Sequence, residues 1–338
     1  MCMTNEFSLD PSDTGRHSMH SSTHSHDQHM TLAVLGGDAR QIAVCTALAE
    51  AGYHLRVMGM GDGDAGHIFS LQSSGITLCG QLSHALDGCD GVVLPYPSTK
   101  DGKTVYMPLD TQHNVFLEDV ERYARQHPGL WVFEGRLPEA CIRRLIQGQS
   151  RISDYESCES FLIKNARLTA EGAVMMAMEL TDTALLDAPI AVIGYGRIGQ
   201  LLAHLLRAMG ARVTVYARRE ESLSMAEACG CHGVSTNQLL GLAEGYRIIF
   251  NTVPVRLMGK ELLSVMPCHT LIIDLASAPG GLDPDGAREA TARCGLQVVK
   301  APSLPGRYAP RDAGRAIAAV ILDQLRNGEP TDEGGKNI

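Results

Sequence analysis

The chain has 338 residues, of which 44% are hydrophobic, and it carries a formal net charge of −9 with an isoelectric point near 5.8. The acidic balance argues against a protein that binds nucleic acid or an anionic membrane, because those surfaces require basic residues that neutralise phosphates. No apolar run approaches the roughly 20 residues that span a bilayer, so we expect a cytoplasmic protein without membrane contact. The length suffices for two domains of roughly 150 residues each.

Residues 1–30 differ in composition from the rest of the chain. They are rich in Ser, Thr, Asp and His and lack apolar periodicity, so we expect a disordered tail, whose histidines could capture a metal weakly. The ten cysteines are scattered, which favours reduced thiols in the cytosol. The closest cluster, Cys229, Cys231 and His232, lacks a second ligand pair at zinc-site spacing, and we expect no metal there.

A first series of alternating strands and helices is predicted from residue 31. The apolar run Leu32–Leu35 ends in Gly36-Gly37-Asp38 and precedes a helical stretch at 40–51, a pattern typical of strand, tight turn and helix. Further strands are predicted at 54–58, 91–94 and 130–133. Such alternation predicts a parallel sheet with helices on both faces, and we assign 31–150 to a Rossmann-like domain that binds the substrate or a partner.

A linker at 151–189 separates this series from a second one. It contains a helix predicted from about Thr169 to Leu185, which Asp187-Ala188-Pro189 stops. Strands are then predicted near residues 190, 212, 247, 271 and 297, so 190–305 is a second doubly wound domain. A segment at 306–326, with a helix at about Ala313 to Leu325, is predicted to cross back to the first domain, and 327–338 is a tail. The predicted fold class is α/β, with two parallel-sheet domains and a cleft between them.

The strongest chemical signal is Gly194-Tyr195-Gly196-Arg197-Ile198-Gly199, which lies between the predicted strand at 190–193 and a helical run. In this fingerprint the first glycine allows a tight turn, the second lets the backbone approach a pyrophosphate, and the third permits close helix packing. The pyrophosphate then lies at the positive N-terminal end of the helix. The motif predicts a dinucleotide site; the alternative is a Rossmann fold that has lost its nucleotide.

The end of the next strand indicates which dinucleotide is bound. Val213–Tyr216 is followed by Ala217-Arg218-Arg219, where an NAD site would place Asp or Glu on the ribose hydroxyls. Two guanidiniums can instead bind a 2′-phosphate, so we expect NADP as the cofactor. The alternative is that both arginines are solvated and pair with Glu220 and Glu221. Later loops complete the expected cofactor contacts, namely Thr252, Val253, Pro254, Ala276, Ser277 and Pro305.

Several motifs together resemble the family of dipicolinate synthase A subunits. They are Gly36–Gln41, Asn165-Ala166, Thr169–Ala173, Asp274–Ser277 with Pro279–Gly281, and Ala301–Gly306 with Ala309-Pro310. The resemblance covers residues 31–325, and the sequence departs from the family pattern at Arg307 and Asp312, where Lys and Thr are expected, and in the His-rich tail.

The resemblance implies a mother-cell enzyme of a sporulating bacterium, on a branch of the lysine pathway. With a flavoprotein-like B subunit, it would convert dihydrodipicolinate, or its hydroxylated tetrahydro form, to dipicolinate by NADP-dependent dehydrogenation. We also expect a homo-oligomer.

A dicarboxylate substrate requires cations or backbone donors opposite the nicotinamide. Arg307 on the Pro-rich loop is the first candidate. The further candidates are Arg311, Arg40 and Arg136, with Ser98, Thr99 and Lys100 on the opposite wall or in an ordinary surface loop. For acid-base catalysis the candidates are Asp154 and Glu156, although proton loss to solvent would need neither.

Two other functions stay open at this point. One is a different NADP-dependent dehydrogenase acting on an amino or hydroxy acid, which a pair of His and carboxylate in the cleft would favour. The other is a noncatalytic NADP-binding scaffold subunit whose partner performs the redox step.

Overall fold

The structure, a computed structural model, describes residues 30–61 and 75–328. It contains two parallel six-stranded sheets with flanking helices, in which the first strand of each sheet lies near the centre. The predicted α/β fold class with two Rossmann-like domains is therefore confirmed. The predictions for the tails at 1–30 and 327–338 fall almost wholly outside the described residues.

The first sheet has the strand order β3-β2-β1-β4-β5-β6. Leu32 and Val34 face one core while Ala33 and Leu35 face another, because successive side chains of a strand point to opposite faces. Both faces are buried, which is why these strands are continuous apolar runs in the sequence. The strands are β1 (Thr31–Leu35), β2 (His54–Met58), β3 (Ile76–Leu78), β4 (Gly91–Val93), β5 (Trp131–Glu134) and β6 (Arg151–Asp154). The helices are α1 (Ala39–Glu50), α2 (Leu82–Leu86), α3 (Leu117–Gln126) and α4 (Glu139–Gln147).

One long helix, α5 (Glu159–Leu180), connects the two sheets after a 3-10 turn at Tyr155–Ser157. It begins and ends earlier than the sequence predicted. Thr169, taken as its start, lies inside it and donates its hydroxyl to the carbonyl oxygen of Asn165 at 2.7 Å. The hydroxyl therefore bonds back along the helix instead of capping it. Phe161 packs in a core of the first sheet, and Ala173 and Ala177 pack in a core of the second.

The second sheet has the order β12-β11-β10-β7-β8-β9. The sequence did not predict β9, because its four residues are half-buried or exposed and form no apolar run. The strands are β7 (Pro189–Ile193), β8 (Arg212–Ala217), β9 (His232–Ser235), β10 (Ile248–Asn251), β11 (Leu271–Asp274) and β12 (Gln297–Lys300). The helices are α6 (Arg197–Ala208), α7 (Glu220–Ala228), α8 (Lys260–Val265) and α9 (Pro284–Cys294), with a 3-10 segment at Thr236–Glu244.

The C-terminal part of the described chain returns to the first sheet. After the short α10 (Leu304–Tyr308), the helix α11 (Pro310–Asn327) packs on α1, and its apolar side chains join the core that contains Trp131. The helix is longer at both ends than predicted. Within 30–61 and 75–328, no helix has the length and apolar character needed to cross a membrane.

The contact between α1 and α11 depends on one glycine. A Cβ at Gly314 would overlap the carbonyl oxygen of Arg40 and stand 2.7 Å from Cβ of Ala43. We expect Gly314→Ala to lower the free energy of unfolding by about 1–3 kcal/mol, because the helices must separate to admit the methyl group. Urea unfolding followed by the fluorescence of Trp131, the only tryptophan, measures this change.

The control is Gly80→Ala, since a Cβ at Gly80 meets no atom within 4 Å. We expect its unfolding curve to match that of the wild type. An equal loss of stability in both variants would contradict the close packing of α1 on α11.

Candidate active site

The carboxyl ends of both sheets meet at one cavity of about 280 Å³. Open α/β sheets bind their ligands at this edge. The first sheet contributes residues that follow β1, β4 and β5, and α5 forms one wall. The second sheet contributes residues that follow β7, β10, β11 and β12. Among the predicted cofactor contacts, the side chains that line the cavity are those of Ile198, Thr252, Pro254, Ala276, Ser277 and Pro305.

The turn between β7 and α6 has the geometry of a dinucleotide site. Gly194 has a φ of +98°, and a Cβ there would overlap Oγ1 of Thr252. A Cβ at Gly199 would overlap the carbonyl oxygen of Gly194, whereas a Cβ at Gly196 meets no atom within 4 Å. Packing thus requires the first and third glycines, and the second borders open space at the N-terminus of α6. A pyrophosphate needs such a space beside backbone N–H groups.

Two side chains of the fingerprint are engaged away from this space. Tyr195 packs in a core of the second sheet, and burial raises its pKa to about 12. Arg197 donates two hydrogen bonds to the carboxylate of Glu159 on α5, at 2.8 and 2.6 Å. Tyr195 and Arg197 would therefore contact a cofactor through their backbone atoms.

The corresponding turn of the first sheet is filled by protein. A Cβ at Gly36 would lie 2.8 Å from the carbonyl oxygen of Tyr106, and one at Gly37 would lie 2.6 Å from Cβ of Gln41. Asp38 caps α1 by accepting the N–H of Arg40 at 3.1 Å. Of the two turns, only the one between β7 and α6 leaves the space that a dinucleotide requires.

Arg218 and Arg219 follow β8 and are both exposed. In the described part of the chain, neither guanidinium forms a salt bridge or a hydrogen bond, and the pairing with Glu220 and Glu221 is not observed. Those two carboxylates lie in the first turn of α7, where the helix dipole stabilises negative charge. Both arginines are thus available to an anionic ligand.

Two buried polar residues shape the loops after β10 and β11. The side-chain amide of Asn251 donates to Oδ1 of Asp274 at 2.7 Å and to the carbonyl oxygen of Val253 at 3.0 Å. The other carboxylate oxygen of Asp274 accepts the N–H of Gly281 at 3.2 Å. This network joins the loop that contains Thr252 to the loop that contains Ala276 and Ser277.

Two arginines of the first sheet line the opposite side of the cavity. Asp38 holds Arg40, which is 4% exposed, through hydrogen bonds from Nε at 2.8 Å and Nη2 at 2.7 Å. Glu156 holds Arg136 by accepting a hydrogen bond from its Nε at 2.7 Å. The two guanidinium carbons lie 5.8 and 5.2 Å from the centre of the Tyr96 ring, within the range of cation–π attraction. Each guanidinium keeps further N–H groups for a ligand.

Tyr96 and Glu156 form one unit with Arg136. The Tyr96 hydroxyl donates a hydrogen bond to Oε1 of Glu156, the oxygen that also accepts from Arg136. Burial, together with this hydrogen bond, raises the pKa of Tyr96 above its ordinary value, so Tyr96 stays protonated near neutral pH. Glu156 reaches the cavity through these two side chains, while Asp154 accepts the backbone N–H of Glu156 at 2.8 Å. A catalytic role for Asp154 or Glu156 stays a prediction.

Two residues with a strained backbone line the cavity. Arg136 and Ser303 have φ values of 66° and 58° and line the cavity. They are two of four residues other than glycine with positive φ in the described chain. Such conformations cost of order 1–3 kcal/mol and cluster at ligand sites.

Arg307 lies outside the set of side chains that line the cavity. Its Nη2 is 3.8 Å from Oε2 of Glu179 on α5, and its side chain is 61% exposed. Ser98 and Thr99 also lie outside the lining, with hydroxyls that donate to Pro95 and Asp101, and Lys100 lies over the Tyr106 ring. A substrate contact by Arg307 stays a prediction.

Sequence reasoning missed three side chains of this region. Tyr96 and Asn165 line the cavity, although the sequence indicated only Asn165, as part of a motif. Glu134 is buried at the end of β5, and burial, with the charges of Asp154 and Glu156, raises its pKa to about 7. Its place directly after an apolar run was the signal available in the sequence.

Comparisons with known proteins agree with this geometry. Residues 31–152 match the family model of the N-terminal domain of the dipicolinate synthase A subunit. Residues 162–279 match the model of the D-isomer specific 2-hydroxyacid dehydrogenase, NAD binding domain. The second match supports a dehydrogenase-type domain for a nicotinamide dinucleotide.

Whole-chain relatives agree with the N-terminal match. The dipicolinate synthase A subunit of Bacillus subtilis (strain 168) is 29% identical over 297 residues, which is 88% of this chain and 96% of that protein. The crystal structure of the dipicolinate synthase A subunit from Bacillus halodurans has a TM-score of 0.76 at 27% identity, covering 88% of this chain and 98% of that one. The crystal structure of the Bacillus subtilis protein has a TM-score of 0.74 at 28% identity, covering 89% and 98%. The chain thus resembles the dipicolinate synthase A subunits over most of its length.

Proposed function

We propose that this chain is the A subunit of an NADP-dependent dipicolinate synthase, which dehydrogenates dihydrodipicolinate, or its 4-hydroxy-tetrahydro precursor, to dipicolinate during sporulation. The observation that carries this proposal is a single cavity whose lining includes Ile198 of the dinucleotide fingerprint together with two arginines, Arg40 and Arg136. Guanidiniums are well suited to bind carboxylates because they present several N–H donors in a planar fork. A pyridine-type dicarboxylate offers one carboxylate to each.

The residues of the chain orient the substrate and the bound cofactor. NADP⁺, when bound, accepts a hydride from the ring. Arg40 and Arg136 bind the two carboxylates, and Asp38 and Glu156 fix the directions of these guanidiniums. From the dihydro form, one hydride and one proton leave as the ring becomes aromatic; the hydroxylated form must also lose water. Tyr96 stays protonated and cannot accept this proton, and Glu156 reaches the cavity only through Tyr96 and Arg136. The proton therefore leaves to water in the cleft.

NADP rather than NAD is proposed on the basis of the two free arginines after β8. We expect Arg218→Ala/Arg219→Ala to raise the NADPH dissociation constant by roughly 10- to 100-fold, because charge-assisted hydrogen bonds to the 2′-phosphate are lost. NADH affinity should change little. Fluorescence titration of both nucleotides against the purified chain measures the difference.

The matched control is Arg288→Ala/Arg293→Ala, which removes two positive charges from α9, a helix that flanks the same sheet as β8. It should leave both affinities near the wild-type values. Equal weakening of NADH and NADPH in the Arg218/Arg219 variant would sink the 2′-phosphate assignment.

A flavoprotein-like B subunit is proposed as the partner in the cytoplasm of the sporulating mother cell. The test is the appearance of dipicolinate, read by its ultraviolet absorbance, when the full chain and NADP⁺ receive freshly formed dihydrodipicolinate with and without this partner. Dipicolinate formed only with the partner, while this chain binds NADPH without turning it over, would favour the scaffold function.

A dehydrogenase with a His and carboxylate pair is less favoured, since no histidine lines the cavity in the described chain.

A further inference from the structure

A buried carboxylate closes the turn that presents Arg136 to the cleft. Glu134, the last residue of β5, is 1% exposed, and its Oε2 accepts the N–H of Leu137 at 2.9 Å. This hydrogen bond spans Gly135 and Arg136, the residue with a φ of 66°. Ser98 fixes the other side of the turn, since its hydroxyl oxygen accepts the N–H of Gly135 at 2.9 Å. The direction of Arg136 therefore depends on Glu134.

Glu134 forms no salt bridge within the described chain. Arg136, which is close in sequence, bonds to Glu156 instead. The titratable groups that face Glu134 are Asp154, its cross-strand partner on β6, then Tyr155 and Glu156 beyond it, and Cys141 on α4. None of them supplies a positive charge. A buried carboxyl group among such neighbours is favoured in its neutral form, and its pKa of about 7 agrees with this.

We propose that Glu134 is the positioning residue for Arg136, and that its carboxyl group takes up a proton when a dianionic ligand binds in the cleft. This inference rests on the proposed function, in which Arg136 binds a substrate carboxylate. A protonated Glu134 still accepts the N–H of Leu137 through its carbonyl oxygen. An ionised Glu134 repels the incoming carboxylate. Protonation and ligand binding thus favour each other, as linkage requires.

The direction of the pH dependence follows from this linkage. A bound dianion raises the pKa of Glu134 further, so the complex holds more protons than the free protein at neutral pH. Dicarboxylate affinity is therefore greatest below pH 7 and falls as the pH rises through 7, by up to about tenfold per pH unit. The ligand remains a dianion throughout, because carboxyl groups titrate well below this range.

Isothermal titration calorimetry tests the proposal directly. Pyridine-2,6-dicarboxylate is titrated into the full chain with saturating NADP⁺ at pH 7, in two buffers of different ionisation enthalpy. We expect the wild type to take up roughly half a proton per bound ligand. Glu134→Gln keeps an acceptor for Leu137 but cannot ionise, so we expect no uptake and an affinity that is constant from pH 6 to pH 8.

Glu139→Gln is the matched control. It removes the same charge from an exposed side chain on α4, and we expect wild-type proton uptake. Uptake in Glu134→Gln equal to that of the wild type overturns the proposal. If Glu134→Gln does not fold, as judged by Trp131 fluorescence, the wild type decides alone, and a pH-independent affinity overturns it. NADP⁺ binding without any dicarboxylate binding in the wild type overturns the substrate assignment, and this proposal with it.

Discussion

Gly196→Ala is expected to remove dinucleotide binding without unfolding the protein. A Cβ at Gly196 meets no protein atom within 4 Å, so the folded chain accommodates it. The same methyl group occupies the space beside the N-terminus of α6 where the backbone must approach a pyrophosphate. We expect the NADPH dissociation constant to rise roughly 100-fold, or about 2.7 kcal/mol, while the melting temperature falls only by the small cost of alanine at a helix N-cap. Fluorescence titration and thermal unfolding measure the two quantities.

Gly259→Ala provides a close control for this variant. Gly259 is the N-cap residue of α8, as Gly196 is of α6, and both have extended ψ and open space at the Cβ position. Both substitutions therefore carry the same cost at a helix N-cap. Wild-type NADPH affinity in Gly196→Ala would show that the pyrophosphate does not approach this turn.

Arg136→Ala is expected to weaken dicarboxylate binding much more than Arg307→Ala. Arg136 lines the cavity, and Glu156 holds its guanidinium in place. The substitution therefore removes a positioned cation that binds a carboxylate of the ligand. We expect a loss of about 2–4 kcal/mol in pyridine-2,6-dicarboxylate binding, or roughly 30- to 1,000-fold. Arg307 points toward Glu179 and is exposed, so its removal should change affinity less than about twofold. Calorimetric titration of the NADP⁺-saturated chain measures both.

Arg143→Ala is the neutral reference for this pair of variants, because Arg143 is an exposed residue of α4 with a surface partner, Glu139. NADPH affinity should stay constant in all three variants, which separates loss of the dicarboxylate site from loss of fold. A larger effect from Arg307→Ala than from Arg136→Ala would restore the prediction made from the sequence.

The fold and the dinucleotide turn were predictable because their signals are local. Buried parallel strands are apolar runs in the sequence. The fingerprint from Gly194 to Gly199 is contiguous, and each of its three glycines has a role within the same turn. The half-exposed β9 has no such signal. The start of α5 was also placed wrongly, because Thr169 offers a hydroxyl that suits a helix cap or a bond back along the helix.

The dicarboxylate side of the cavity was less predictable because its contacts are distant in sequence. Tyr96 meets Glu156 across 60 residues, and Arg136 meets Glu156 across 20. Periodicity does not reveal such pairs, since each residue lies in a separate loop after a different strand. The sequence named Arg40 and Arg136 only as further candidates, and the bracing by Asp38 and Glu156 distinguishes them from Arg307.

The two halves of the molecule cannot be separated cleanly, because the continuous helix α5 packs in the cores of both. Phe161 belongs to one core and Ala177 to another, on the same uninterrupted helix. If the chain were divided between Phe161 and Ala177, one half would lose the part of α5 that packs in its core. The first half also needs α11, which the chain reaches only after completing the second. The first half therefore completes its core with chain that follows the second half, and both halves share one helix, so neither can be exchanged as an independent unit.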